Sequence, residues 1–317
     1  MLAELESLAE AVRKGNIRAL ARAISLVEEG REEALHLSAR LYPYSGGAMH
    51  VGFVGPVGTG KSTLIDRLIS EFRKRGFRVG VLSVDPSSHL TGGSILGDRI
   101  RMTKHTLDEG VYIRSLAARG KLGGLARRIG LMIRLLEAAG FEVVLMESIG
   151  AGQADVQISR LADITVVVLM PALGDELQAL KAGLMESGNI YVLNKADLQY
   201  SELALAYLRQ ALLDRKDAKV LRTIATKGEG VEELCKELLS TLEDMKASGR
   251  LAQRRREMVK DEVMDYLFDY VKEEVERLAG RREFLELLER VYRGELDPLT
   301  AALSLRQEFL PKGVSGG

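Results

Sequence analysis

GPVGTGKST, Gly55 to Thr63, follows a short apolar run, HVGFV, and leads into LIDRLISEF, whose apolar residues recur at helical spacing. Strand, glycine-rich turn and helix, in that order, form the setting that the G-x-x-x-x-G-K-[ST] motif requires. Gly55, Gly58 and Gly60 let the backbone N–H groups of the loop, Val57 and Thr59 among them, curve around phosphate oxygens that side chains would otherwise block. The N-terminus of the following helix, at Ser62 and Thr63, adds partial positive charge. Lys61 is then in reach of the β- and γ-phosphates, and the Ser62 hydroxyl of Mg²⁺.

Downstream, two acids end apolar runs. VLSVD closes on Asp85 before the turn PSS, and EVVLM leads into Glu147 within ESIGAGQADV. A carboxylate at the carboxyl end of a strand beside a phosphate loop is placed to hold Mg²⁺ directly or through water. Gly150 offers an N–H for a γ-phosphate. IYVLNKAD then sets Asn194, Lys195 and Asp197 after a further apolar run. The Asp197 carboxylate matches the N1–H and exocyclic amine of guanine, and adenine offers it no such donors. After the next run, VLRTI, the N–H groups of Ala225, Thr226 and Lys227 stand where they could meet the O6 of the base. The residues therefore describe a site for GTP or GDP with Mg²⁺.

Outward from these motifs the chain divides into three parts. Residues 48–246 alternate β-branched runs (HVGFV, RVGVLSV, EVVLM, ITVVVLM, IYVLN, VLRTI) with amphipathic stretches, the pattern of a mostly parallel sheet covered on both faces. Residues 1–47 are helical, interrupted at Gly15 and Gly30, and end in a linker rich in glycine and proline. Residues 247–317 are helical again, with apolar stripes through Val263, Leu267 and Tyr270 that need a surface to cover them. The basic run Arg254 to Arg256 reads as the solvated start of that helix. Lys plus Arg equals Asp plus Glu at 45 each, so nothing draws the chain to nucleic acid or to an anionic membrane. One cysteine, Cys235, rules out an intrachain disulfide. The acidic start MLAELESLAE has the wrong chemistry for a secretory signal, and a cytoplasmic location is expected.

DPSSHLTGGSILGDRIRM, ESIGAGQADV, GDELQALKAG and NKAD, in this order, resemble the MeaB/ArgK family, GTPases associated with methylmalonyl-CoA mutase that older descriptions call arginine/ornithine transport ATPases. The resemblance runs from RALARAISLVEEG to RRREMV. It implies a metallochaperone-type P-loop GTPase fold and a homodimer held largely by the C-terminal helical arm. It implies a chaperone role, delivering adenosylcobalamin to a cobalamin-dependent acyl-CoA mutase and protecting it. It further implies that Asp98, a candidate metal ligand, and Arg101 belong to the first switch. Asp175 and Lys181 would lie in a second mobile segment that answers to the partner. On physics alone Asp98 and Arg101 read equally well as a solvated pair.

Three features depart from the family pattern: Ser148 where threonine is usual, Asn189 in place of an acid, and the absence of tryptophan. The candidate catalytic residues are Lys61, Glu147, Arg101, Lys181 and Gln153. Gln153 could orient water, although it lies further past Gly150 than the corresponding glutamine of Ras-like enzymes. Turnover is expected to be slow until a partner completes the site. Three other readings compete, one of them a nucleotide-gated docking protein without catalysis, since every motif found here serves binding first. A GTPase of nickel-enzyme maturation would need clustered thiolates and imidazoles, and His36, His50, His89 and His105 are scattered. A transport-associated ATPase or kinase conflicts with NKAD.

Overall fold

The strand β1 (Met49–Val54) is buried along its whole length and lies in the middle of a parallel sheet. The computed structural model describes residues 2–85, 103–105, 107–117, 122–148, 152–171, 184–215 and 217–309. Asp98, Arg101, Gly150, Asp175 and Lys181 lie outside them.

Among the described residues the sheet has seven strands: β1, β2 (Val79–Asp85), β3 (Val111–Ala117), β4 (Val143–Ser148), β5 (Ile164–Leu169), β6 (Ile190–Leu193) and β7 (Lys219–Arg222). Their order is β3-β2-β4-β1-β5-β6-β7, and every pairing is parallel. The expected mostly parallel α/β sheet is therefore present. The strand β3 has no counterpart among the six apolar runs read from the sequence. It lies at the edge, where Arg114 and Ser115 are only half-buried, so its letters lack the continuous apolarity of a central strand.

Three N-terminal helices precede the sheet: α1 (Leu2–Arg13), α2 (Ile17–Glu28) and α3 (Glu32–Leu41). Then follow α4 (Lys61–Lys74), α5 (Leu122–Ala138), α6 (Gln153–Leu161), α7 (Leu184–Ser187), α8 (Ser201–Ala211) and α9 (Val231–Ala247). One core joins Leu20, Ile24, Leu37 and Leu41 of the N-terminal helices to Ile129 and Met132 of α5 and to one face of the sheet. On the other face Leu64, Leu68 and Phe72 of α4 meet Leu234 and Leu238 of α9. At roughly 1.5–3 kcal/mol for each large side chain removed from water, these two layers hold the strand ends in place.

The described chain forms two compact units, Met1–Val259 and Lys260–Gly317, divided within the helix α10 (Arg250–Ala279). The second unit also contains α11 (Arg282–Tyr292) and α12 (Pro298–Phe309). Within it Val263, Leu267, Phe268, Tyr270 and Val271 are exposed. Among the described residues no helix is long and apolar enough to cross a membrane.

Candidate functional site

All the motif residues that are described stand at the carboxyl ends of the strands, the edge where parallel α/β sheets bind their ligands. β1 gives way to the glycine loop, and α4 begins at Lys61. Gly55 has φ 133°, and a Cβ there would come within 2.3 Å of the Val168 carbonyl oxygen. Gly60 has φ 89°, and a Cβ there would meet Asn194 Nδ2 at 2.5 Å. Both glycines are required by how closely the loop passes its neighbours. Lys61 Nζ donates to the carbonyl oxygens of Gly55 at 2.7 Å and Pro56 at 3.0 Å. Burial lowers the affinity of this amine for its proton below the ordinary lysine value, while the charges of Glu147 and Asp155 pull the other way.

The Ser62 hydroxyl donates to Glu147 Oε1 at 2.6 Å, and Ser83 Oγ donates to Oε2 at 3.4 Å. Glu147 is 1% exposed and pairs in register with Phe53 of β1 and Ser83 of β2. A hydroxyl and a carboxylate thus converge at the first turn of α4. These hard oxygen donors suit Mg²⁺, which takes one or two carboxylates and completes its shell with phosphate and water. Asp85 ends β2 at the same edge of the sheet.

Asp155 was not singled out from the sequence. It is 1% exposed, accepts a hydrogen bond from Ser148 Oγ, and receives Gly152 N–H at 3.3 Å. Burial raises its carboxyl above the ordinary aspartate value, against Ser148, Gly152 and Lys61. Its sequence signal was its place three residues past Gly152, where an acid can reach back over the first turn of α6.

At the base site, Asn194 is 2% exposed and hydrogen-bonded through both the nitrogen and the oxygen of its amide. Its Nδ2 donates to Thr59 O at 2.8 Å, and its Oδ1 accepts from Thr223 Oγ1 at 2.9 Å and Ala225 N at 3.1 Å. Lys195 holds a left-handed φ of 56°, and its Cε lies 4.0 Å from the Cβ position of Gly60. Asp197 Oδ2 is 3.7 Å from Lys227 Nζ. Of the three N–H groups expected to face O6, Ala225 N–H is taken by Asn194 and Lys227 N–H donates to Ile224 O at 2.9 Å. Only Thr226 N–H has no acceptor among the described residues.

Gln153 is the first residue of α6 and is exposed. It lines a cavity of about 720 Å³ shared with Asp155, Arg160 and Arg254, and no residue of the phosphate loop lines it. His50 and His105 are buried and hydrogen-bonded to Glu137 and Asp66 O. Cys235 is buried, its thiol pushed up to about 11 by burial. Among the described residues no three His, Cys, Asp or Glu side chains gather as a metal cluster.

The basic run is not the solvated helix start that its letters suggest. Arg255 forks onto the buried Asp163, Nε to Oδ1 at 3.0 Å and Nη2 to Oδ2 at 2.8 Å, and also binds Ala48 O. Arg254 Nη2 donates to Ser159 O at 2.6 Å and to Arg160 O at 3.2 Å, capping the carbonyl end of α6. Only Arg256 is exposed.

Comparison with known proteins agrees with this geometry. The profile of the family described as methylmalonyl Co-A mutase-associated GTPase MeaB matches residues 20–279. A relative from Pyrococcus abyssi, named for GTPase activity, is 41% identical over 98% of both chains. GTPase ArgK of Escherichia coli is 34% identical over 83% of this chain and 86% of its own. A solved structure described as LAO/AO transport system kinase superposes with a TM-score of 0.71 over 97% of this chain and 98% of that one, at 27% identity. With the phosphate loop and the Asn-Lys-x-Asp motif brought to one edge of the sheet, the chain belongs to the MeaB/ArgK family of P-loop GTPases.

Proposed function

We propose that this GTPase is a nucleotide-gated chaperone that loads adenosylcobalamin into a cobalamin-dependent acyl-CoA mutase, methylmalonyl-CoA mutase foremost, and protects that enzyme. The observation that carries the nucleotide part is the Asn194 amide, which ties the phosphate loop to the base motif. The client is supported by the family description alone.

In this reading the loop N–H groups of residues 55–63 cradle the phosphates. The Lys61 ammonium exchanges the carbonyls of Gly55 and Pro56 for β- and γ-phosphate oxygens, which are stronger acceptors. Ser62 and Glu147 hold Mg²⁺, with Asp85 and Asp98 as further candidates. When bound, the ion neutralises charge developing on the phosphates. Gly150 N–H meets the γ-phosphate. Asp197 reads the N1–H and amine of guanine, the Lys195 stem covers its face, and Thr226 N–H, the donor left open in the Ala225–Lys227 loop, meets O6. Gln153 orients water, and Arg101 and Lys181 enter from the switch segments. Intrinsic turnover is slow, and the partner completes the site.

The functional parts are residues 1–47, 48–246 and 247–317, the last serving as a homodimerisation arm. The exposed Val263, Leu267, Phe268 and Tyr270 within the C-terminal unit support that role. The protein acts in the cytoplasm.

The test is GTP turnover by the purified protein with and without methylmalonyl-CoA mutase of the same organism. Acceleration by the mutase supports both halves of the reading. Turnover that the mutase leaves unchanged removes the client. Failure to bind GDP overturns the whole reading.

A further inference from the structure

The helix that opens at the phosphate loop carries one guanidinium directed at the base loop. Arg67 lies six residues past Lys61, about 9 Å along α4. It is half-buried, and it spans two successive carbonyls: Nε donates to Ala225 O at 3.2 Å, and Nη2 donates to Thr226 O at 2.9 Å. A rigid planar fork gripping two adjacent peptide units fixes their rotation, which a single contact would not.

The consequence follows from peptide geometry. In a trans peptide the C=O and the N–H of one unit point in opposite directions. Ala225 O, held by Arg67 and also by Gly228 N–H at 3.2 Å, belongs to the same unit as Thr226 N–H. That N–H therefore points away from Arg67. The next unit obeys the same rule: Thr226 O faces Arg67, and Lys227 N–H turns back to Ile224 O. The preceding unit is set by Asn194, which takes Ala225 N–H. Thr226 N–H is left as the one donor of the three with no acceptor among the described residues, on a loop whose Lys227 lies beside Asp197.

We propose that Arg67 is a positioning residue for base recognition. It locks the Ala225–Thr226 peptide so that Thr226 N–H donates to the 6-oxo group of a purine nucleotide. This rests on the guanine reading above. It gives α4 two duties, with Lys61 serving the phosphates at its first residue and Arg67 serving the base from its middle.

The test compares GDP with 6-thioguanosine diphosphate, which keeps both contacts to Asp197 but offers a sulfur that accepts hydrogen bonds weakly. The Arg67→Ala variant is expected to lose about tenfold in GDP affinity, the scale of one hydrogen bond, and much less for the thio analogue. Arg67→Lys, measured in the same way, is expected to show a smaller loss again confined to GDP; it serves as the test if the alanine variant does not fold. Equal losses for the two nucleotides, or no loss for either, overturn the proposal. Unmodified protein that binds GDP no better than ADP overturns the guanine reading instead, whatever Arg67 does.

Discussion

The side-chain amide of Asn194 donates to the Thr59 carbonyl oxygen at 2.8 Å, so the base motif and the phosphate loop are one hydrogen-bonded unit. Asn194→Asp keeps the shape, removes that donor and places a carboxylate against a carbonyl. GDP affinity is expected to fall by about 10- to 100-fold, and the nucleotide-free protein to melt earlier. Titration with a fluorescent GDP analogue checks this, and unchanged affinity would falsify the link.

Asp197→Asn exchanges an acceptor for a group that can also donate. Guanine then loses a partner for its N1–H and amine, whereas xanthine, with an oxygen at position 2, gains one. Competition between GTP and XTP is expected to reverse in favour of XTP, with discrimination of about a hundredfold or more. Persistent preference for GTP would mean that Asp197 does not read the base.

The buried Asp155 carboxyl titrates above the ordinary aspartate value. Folding then favours its protonated form, so stability declines as pH rises from the ordinary aspartate range through the raised folded value. Above both, the cost is fully present. Asp155→Asn is expected to raise the melting temperature of the nucleotide-free protein near pH 7, and the gain should shrink towards about pH 4. A variant less stable at both pH values would show that the hydrogen bonds to Ser148 and Gly152 outweigh the burial cost.

Arg255 pairs with Asp163, whose side chain is fully buried, and His50 N–H also donates to that carboxylate. Burial would push this carboxyl up, but Arg255 and the His50 ring outweigh it and hold it below the usual range. Arg255→Ala strands the charge and is expected to cost about 3–5 kcal/mol of unfolding free energy. The exposed neighbour Arg256→Ala should cost less than about 0.5 kcal/mol. Chemical denaturation of the two variants decides the matter; similar small losses would return the basic run to a solvated role.

Gln153→Ala is expected to slow partner-stimulated GTP turnover by about tenfold or more, with GDP affinity unchanged. Equal turnover in variant and parent, measured with the mutase present, removes Gln153 from water positioning.

The phosphate and base motifs were legible because each packs its chemistry into a few consecutive residues. The glycine spacing of 55–60, Lys61 and Asn-Lys-x-Asp carry their meaning in backbone shape and side-chain type. Central strands were legible for a similar reason, since burial on both faces demands an unbroken apolar run. The edge strand β3 was not, because half-buried positions admit Arg114 and Ser115. Ala225 and Lys227 were read as base donors when both N–H groups are spent inside the loop and on Asn194, a use that depends on peptide rotation and not on residue type.

The sequence by itself determined that this chain binds guanine nucleotide on a parallel α/β sheet, because those motifs are local and their spacing leaves few structures that satisfy them. Tertiary structure alone decided the pairing of Arg255 with Asp163, 92 residues apart, and of Arg67 with Thr226, 159 residues apart. A guanidinium in a basic run or on a helix face has the same letters whether it meets water or a buried partner. Only the packing that removes the water from Asp163, and turns the 225–226 carbonyls towards α4, determines which it meets.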